Sequence, residues 1–351
     1  MRILVAAIAI FAATAALPLS GGASSADACA GLIGSNGAVN LGRTTTLAAY
    51  HDGVEHYVTA FEFQGGGGEF GALIPLPDVP TKVERGGDWT LQRLQIETQP
   101  PVAELAFAAG GTAADASRAE VILEVRIDAL DLTVLKGGGP DVAVWAQEHD
   151  FRLSPDAPEV LDFYAQRSPI FLAAVFDGEA AAERGQQLGD GTPVHITMPT
   201  DDPWVPLRIL GLGKQADDFV QADVFLITDD APAVLPAPGE GMFLAHNAEA
   251  TDLLLDDLRS DAGMEWMPDS AWLTKLQVNS SAGDLQYDLA IDASGANNPS
   301  RIDAGLDLVS GEIVPQITSD SDGISALWLW AAGLVVLAAA GIAARRATGV
   351  R

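Results

Sequence analysis

Thr44-Thr45-Thr46-Leu47-Ala48-Ala49-Tyr50-His51-Asp52-Gly53, then Glu55-His56-Tyr57-Val58-Thr59-Ala60-Phe61-Glu62-Phe63, reads as two strands joined at a turn. The residues are mostly β-branched, aromatic or small, and Asp52-Gly53 is a hairpin signal. Alternation along the second strand puts Tyr57, Thr59, Phe61 and Phe63 on one face. Two strands that turn straight back on each other pair antiparallel, which sets the expectation for the rest of the chain.

Downstream, Gly65 to Gly68 is a connection and not a phosphate loop, because no Lys-Ser/Thr ending and no helical pattern follow it. A strand resumes at 70–74, and Pro75, Pro77 and Pro80 force an extended exit. Asp88 is placed to cap a helix through about Glu97, with Trp89, Leu91 or Gln92, Leu94 and Ile96 partly inward and Pro100-Pro101 closing it. Strands are expected at 121–127, 130–135, 170–176, 194–198, 205–210 and 223–228. Short helices are expected at 141–149 and from Ser154-Pro155, the latter with Val160, Leu161 and Tyr164 inward.

Pro232, Pro236, Pro238 and Gly239 mark 231–240 as a Pro-rich linker. Beyond it, 248–259 patterns as a helix burying Leu253, Leu254, Leu255 and Leu258, with strands at 272–278 and 285–291. Helices and strands mix without a βαβ rhythm. The expected fold is therefore α+β, with largely antiparallel sheets and short helices, plus one C-terminal transmembrane helix.

That last helix is 324–344. It carries no charge and is stopped by Arg345 and Arg346. At 1.5 Å per residue it is roughly 31 Å long, the thickness of bilayer hydrocarbon. The acids Asp320 and Asp322 flank its other end, so the positive-inside rule puts the tail 345–351 in the cytoplasm and the N-terminal mass outside, with Trp328 and Trp330 near the outer boundary. At the other terminus, Met1-Arg2, an apolar run to Leu19 and the small-residue site Ala26-Asp27-Ala28 predict a signal peptide at 1–28. Between them lie an N-terminal ectodomain part at 29–230, the linker 231–240, a C-terminal part at 241–315 and a stalk at 316–323. The chain is thus expected at the cell membrane, single-pass, with the lipid bilayer as its partner through 324–344.

Asp and Glu number 48 against 19 Lys and Arg, for a net charge of −29. Asp27 is the one acid outside 29–323, while four arginines lie outside it, so the ectodomain is more anionic than the whole chain. Nucleic acid is excluded as a partner, since phosphate binding needs clustered bases. Cys29 is the single cysteine, so no internal disulfide supports the fold.

Cys29-Ala30-Gly31-Leu32-Ile33, the 70–77 run Phe-Gly-Ala-Leu-Ile-Pro-Leu-Pro, Val144-Trp145, Phe151, Leu161-Asp162-Phe163-Tyr164 and Phe171-Leu172-Ala173 recur in order. Pro203-Trp204-Val205-Pro206-Leu207-Arg208-Ile209, Trp272-Leu273-Thr274-Lys275-Leu276 and Asp288 continue the series. Together they resemble the bacterial envelope protein family of domain of unknown function 2330, across most of the ectodomain. The resemblance implies an exported, anchored protein and no particular activity. Members typically carry a second cysteine soon after the first; here Gly34 stands near that place.

No catalytic, cofactor-binding or metal-ligating residue is assigned. His51, His56, His149, His195 and His246 show no zinc spacing, and no Gly-x-Ser-x-Gly elbow occurs. The acid pairs Asp201-Asp202, Asp217-Asp218, Asp229-Asp230 and Asp256-Asp257 point to opposite faces wherever they lie on strands. Calcium is the one cofactor such acidic loops could recruit. Trp204 between Pro203 and Pro206 reads as a packed hydrophobic edge, with an exposed platform for a peptide or glycan as the alternative. The function expected is binding or scaffolding of an extracytoplasmic protein or glycan by an acidic, membrane-anchored domain. The alternative is an extracytoplasmic hydrolase of cell-wall polymer or peptide.

Overall fold

The computed structural model describes residues 31–34, 37–38, 43–62, 70–99, 120–186 and 191–308. The expected signal peptide, Cys29, the stalk, the apolar span and the tail lie outside the described residues. Among the described residues no helix is long and apolar enough to cross a membrane.

In chain order, β1 (Gly31–Gly34), β2 (Gly37–Ala38), β3 (Arg43–His51), β4 (Val54–Glu62), β5 (Phe70–Pro75) and β6 (Lys82–Arg85) precede α1 (Thr90–Glu97). Next come β7 (Glu120–Ile127), β8 (Leu130–Lys136), α2 (Gly139–Gln147), α3 (Ala157–Ala165), β9 (Ile170–Phe176), α4 (Gly178–Glu183) and β10 (Gly191–Pro199). The remainder is β11 (Trp204–Val205), a 3-10 turn at Arg208–Gly211, β12 (Phe219–Thr228), β13 (Ala233–Leu235), β14 (Met242–Glu249), α5 (Asp252–Ser260), β15 (Trp272–Ser281) and β16 (Leu289–Asp292).

The fold is α+β and dominated by antiparallel sheet. A seven-stranded sheet has the order β14-β15-β12-β3-β4-β10-β6, a six-stranded sheet β2-β1-β5-β9-β8-β7, and a small sheet β11-β16-β13. Among the described residues every pairing is antiparallel except β12 with β3. The hairpin β3–β4 turns at Asp52 and Gly53, both at positive φ, as a twist-matched two-residue turn requires.

The two large sheets face each other across one core, in which Tyr57, Ile196, Val224 and Leu276 of the larger meet Ile74, Leu132 and Leu172 of the smaller. Helices α2 and α3 cover the outer face of the six-stranded sheet through Trp145, Leu161 and Tyr164. Helices α1 and α5 cover the outer face of the seven-stranded sheet through Leu91, Leu94, Leu254, Leu255 and Leu258. The result is four layers, helix–sheet–sheet–helix. Its inner strands are buried on both faces, which is why β9 (Ile-Phe-Leu-Ala-Ala-Val-Phe) is continuously apolar and does not alternate.

Several details depart from expectation. Residues 231–240 include β13, which pairs with β16, and β14 and β15 beyond them join β12 in one sheet. Residues 248–249 end strand β14, and α5 starts later, capped by Thr251, whose hydroxyl accepts from the Leu254 N–H at 3.2 Å. Leu253 then faces solvent, because Leu254, Leu255 and Leu258 already take the inward positions. Asp88 does not cap α1. No side chain caps its first turn; buried Asp261, just after α5, instead ties down the segment leading into the helix, accepting from the N–H groups of Asp88 (3.0 Å) and Trp89 (2.9 Å) and from the Thr90 hydroxyl (2.9 Å). Trp89 and Ile96 are exposed. The expected strand at 205–210 is two residues of β11 followed by the 3-10 turn.

Candidate functional site

The outer face of the seven-stranded sheet carries an ionisable row near one end. Register sets it: Ala49 of β3 pairs with His56 of β4, His56 with Thr197 of β10, and His195 of β10 with Glu84 of β6. His56 Nδ1 lies 2.9 Å from His195 Nε2, so one nitrogen donates and the other accepts. His195 is 1% exposed. Its Nδ1 makes no hydrogen bond among the described residues, and Glu84 Oε1 lies 3.5 Å away. Glu84 is itself 2.7 Å from Lys82 Nζ. At the open end of the row, His51 Nδ1 meets Asp229 Oδ1 at 2.5 Å.

Trp266 closes the row. It lies in the segment after α5, held by Met264 and Met267 in the core beneath. Its ring stacks on His56 at 3.9 Å and 7°, and on His195 at 5.0 Å and 25°. Its buried indole nitrogen has no hydrogen-bond acceptor among the described residues.

Burial lowers His56 to a pKa of about 4, with His195 and His51 adding repulsion and Glu84 opposing. Burial likewise lowers His195 to about 4, with Lys82 adding to it. The pair titrates as a unit and is neutral at pH 7. Both folded pKa values lie below the unfolded value of about 6.5. The unfolded chain therefore binds the extra protons, and stability from this pair is full above pH 6.5 and is lost as pH falls toward 4. In denaturant titrations this acid-side slope should flatten in H56Q/H195Q. Imidazole resonances of the native chain that titrate near pH 6.5 for both residues would refute the closed, neutral pair.

Glu84, His195 and Thr197 stand in the order carboxylate–imidazole–hydroxyl. However, Thr197 Oγ1 is 3.4 Å from an Nε2 already engaged by His56. That geometry activates no nucleophile. Among the described residues no group of three His, Cys, Asp or Glu side chains could hold a metal ion.

The other histidines and acids are apart from this row. His149 packs on Trp145 at 4.2 Å, and His246 lies on β14. Asp256 and Asp257 pair with Arg259 and Arg93, respectively. Asp201, Asp202 and Asp230 are exposed; of the paired acids only Asp229, through His51, touches the row.

Trp204 is 2% exposed, a core residue and not a platform. It belongs to a second, fully internal cluster. Tyr164, Trp204, Arg208 and Asp288, drawn from three motif segments of the sequence, converge there with Arg167. Asp288 accepts from the Tyr164 hydroxyl (2.9 Å), the Leu207 N–H (2.7 Å) and the Arg208 N–H (2.9 Å), and pairs with the Arg167 guanidinium. Arg167 packs over Phe163 at 4.4 Å and Trp204 at 4.7 Å. Gly305 allows the segment after β16 to close against this cluster: at φ +70° its Cα faces Phe163, where a Cβ would collide with the ring.

No family model and no curated protein sequence matches the chain. Among solved structures, mutated baculovirus P35 after caspase cleavage is similar at 9% identity, covering 72% of this chain and 99% of that one, with a TM-score of 0.39. P35 in the caspase-8/P35 complex is similar at 8% identity, covering 72% and 96%, also at 0.39. Likeness of that order carries no inference about this chain's chemistry.

Proposed function

We propose that this chain is an exported envelope protein, related to the family of domain of unknown function 2330, held in the membrane by 324–344. Its acidic domain binds or scaffolds a partner outside the cell. The carrying observation is the pairing of a leader-like N-terminus with an uncharged 21-residue run that ends in Arg345-Arg346. The acid excess of the intervening body is in keeping with an exposed, self-repelling surface. The ionisable row favours no hydrolase, since it is covered by Trp266 and lacks an activated nucleophile.

The test is topological. Full-length protein expressed in a bacterial host should stay in the membrane pellet after alkaline carbonate extraction, and protease added to intact cells should digest the body. Release by carbonate, or a body protected in intact cells, overturns the proposal.

A further inference from the structure

Among the described residues, α1 and α5 cover only part of the outer face of the seven-stranded sheet. Gln95 of α1 reaches Thr45 and Asp223, with both bonds at 3.1 Å, and marks where the helical layer ends over the middle strands. Beyond that point no described helix lies over the outer face of β12, β15 and β14. Register places Phe219 opposite Ser281, Gln221 opposite Asn279, and Phe243 opposite Gln277. Their neighbours Val220, Met242 and Val278 point into the core between the sheets, so these side chains all lie on the outer face.

Phe219 is 64% exposed and Phe243 50%. The two rings stand apart on the strand face, with the side chains of Gln221, Asn279 and Gln277 between them. Between the rings lies a row of amides. Gln221 Nε2 donates to Asn279 Oδ1 at 2.8 Å, and Gln277 Nε2 donates to Asp223 Oδ1 at 3.1 Å. These bonds engage the Gln221 and Gln277 NH2 groups and the Asn279 carbonyl, and each amide carries a second polar group that can bond a ligand. Two strand spacings across and four residues along put the phenyl positions about 16 Å apart.

We propose that this face is a binding site for a neutral, extended oligosaccharide, with Phe219 and Phe243 stacking against two sugar rings and the amides of Gln221, Asn279 and Gln277 bonding the hydroxyls or acetamides between them. Charge decides the occupant. The patch between the rings presents amides; the one carboxylate in its row, Asp223, is buried and faces the Lys275 ammonium at 3.7 Å, and Asp218, Glu240 and Asp284 sit at the margins. On a chain of net charge −29, an anionic polymer or a second copy would meet repulsion that a neutral ligand escapes. The spacing suits a short oligomer and exceeds one ring. The inference deepens the reading of the protein as an extracytoplasmic binder and rests on it for access to such a polymer.

The experiment is titration of the full-length chain in detergent with hexa-N-acetylchitohexaose, read by calorimetry. Saturable binding is expected, unchanged by added salt because no ion pair forms. It should weaken about tenfold or more in F219A/F243A, whose exposed rings can go without loss of fold. Q221A/N279A should weaken it through the amides alone, with the phenyl rings retained. No binding, binding that persists in F219A/F243A, or binding abolished by salt overturns the proposal. The readout is independent of the carbonate and protease tests: a chain that binds the hexamer yet washes from membranes sinks the anchoring and keeps the site, and the reverse result does the opposite.

Discussion

D288A is expected to destabilise the fold by about 3–5 kcal/mol, the loss associated with removing one partner of a buried ion pair. Asp288 is fully buried, and so is the Arg167 side chain that faces it. Removing the carboxylate strands a guanidinium whose other neighbours are aromatic rings and the Asp303 carbonyl. It also leaves the Leu207 and Arg208 N–H groups without their acceptor, at the start of the 3-10 turn. Tyr164 links the two sides, donating to Asp288 and accepting from the Ile209 N–H at 2.8 Å, so helix α3, β11, the 3-10 turn and the segment before β16 meet at one carboxylate. D288N keeps the shape but not the charge and should recover only part of the loss. R167M should cost a similar amount, while R167M/D288L should cost less than the two single changes together, because neither charge is then left alone. Urea unfolding of the four variants measures this. A D288A midpoint within experimental error of the parent would refute the keystone role.

That cluster also shows how far the sequence could be read. Its segments were recognisable in order, and Trp204 was readable as core from its proline-flanked apolar setting. Nothing local indicates that Tyr164, Arg208 and Asp288 meet, since the first and last are 124 residues apart. The hairpin at 44–62 was legible because its alternation and its Asp-Gly turn are both local. Asp88 was misread as the cap because it stands at the right offset; the carboxylate that holds this segment, Asp261, arrives from 173 residues away and leaves no local trace. Likewise His56 and His195 become neighbours only through the β4–β10 register. Strand β14 escaped notice because Phe243 and Leu244, neighbours on opposite faces, are both exposed, so it lacks the polar-out alternation of a half-buried strand. The four-layer arrangement follows from which sheet faces pair, and that is not written in any one window.

Stability should fall on the alkaline side because of Glu55, by about 5 kcal/mol in all if the full shift is expressed. Glu55 is 0% exposed, on the inner face of β4, and neither carboxyl oxygen makes a regular hydrogen bond among the described residues. Burial drives its pKa from 4.5 up to about 8, with the nearby Trp204 N–H partly opposing by favouring the charged form. The folded chain thus holds a proton that the unfolded chain gives up above pH 4.5. The contribution is complete below pH 4.5, declines as pH rises and is gone once pH passes about 8. Over pH 4.5–6.5 the histidine pair works the other way, and with two groups against one its gain prevails. The two effects together place a maximum near pH 6.5. E55Q keeps a neutral, similarly shaped side chain at every pH, so its stability curve should match the parent below pH 4.5 and lie progressively above it up to pH 8. Its acid limb, set by His56 and His195, should remain. Urea unfolding from pH 4 to 9 reads both limbs at once, and parallel curves for the parent and E55Q would show that Glu55 is ionised in the fold, with its charge accommodated.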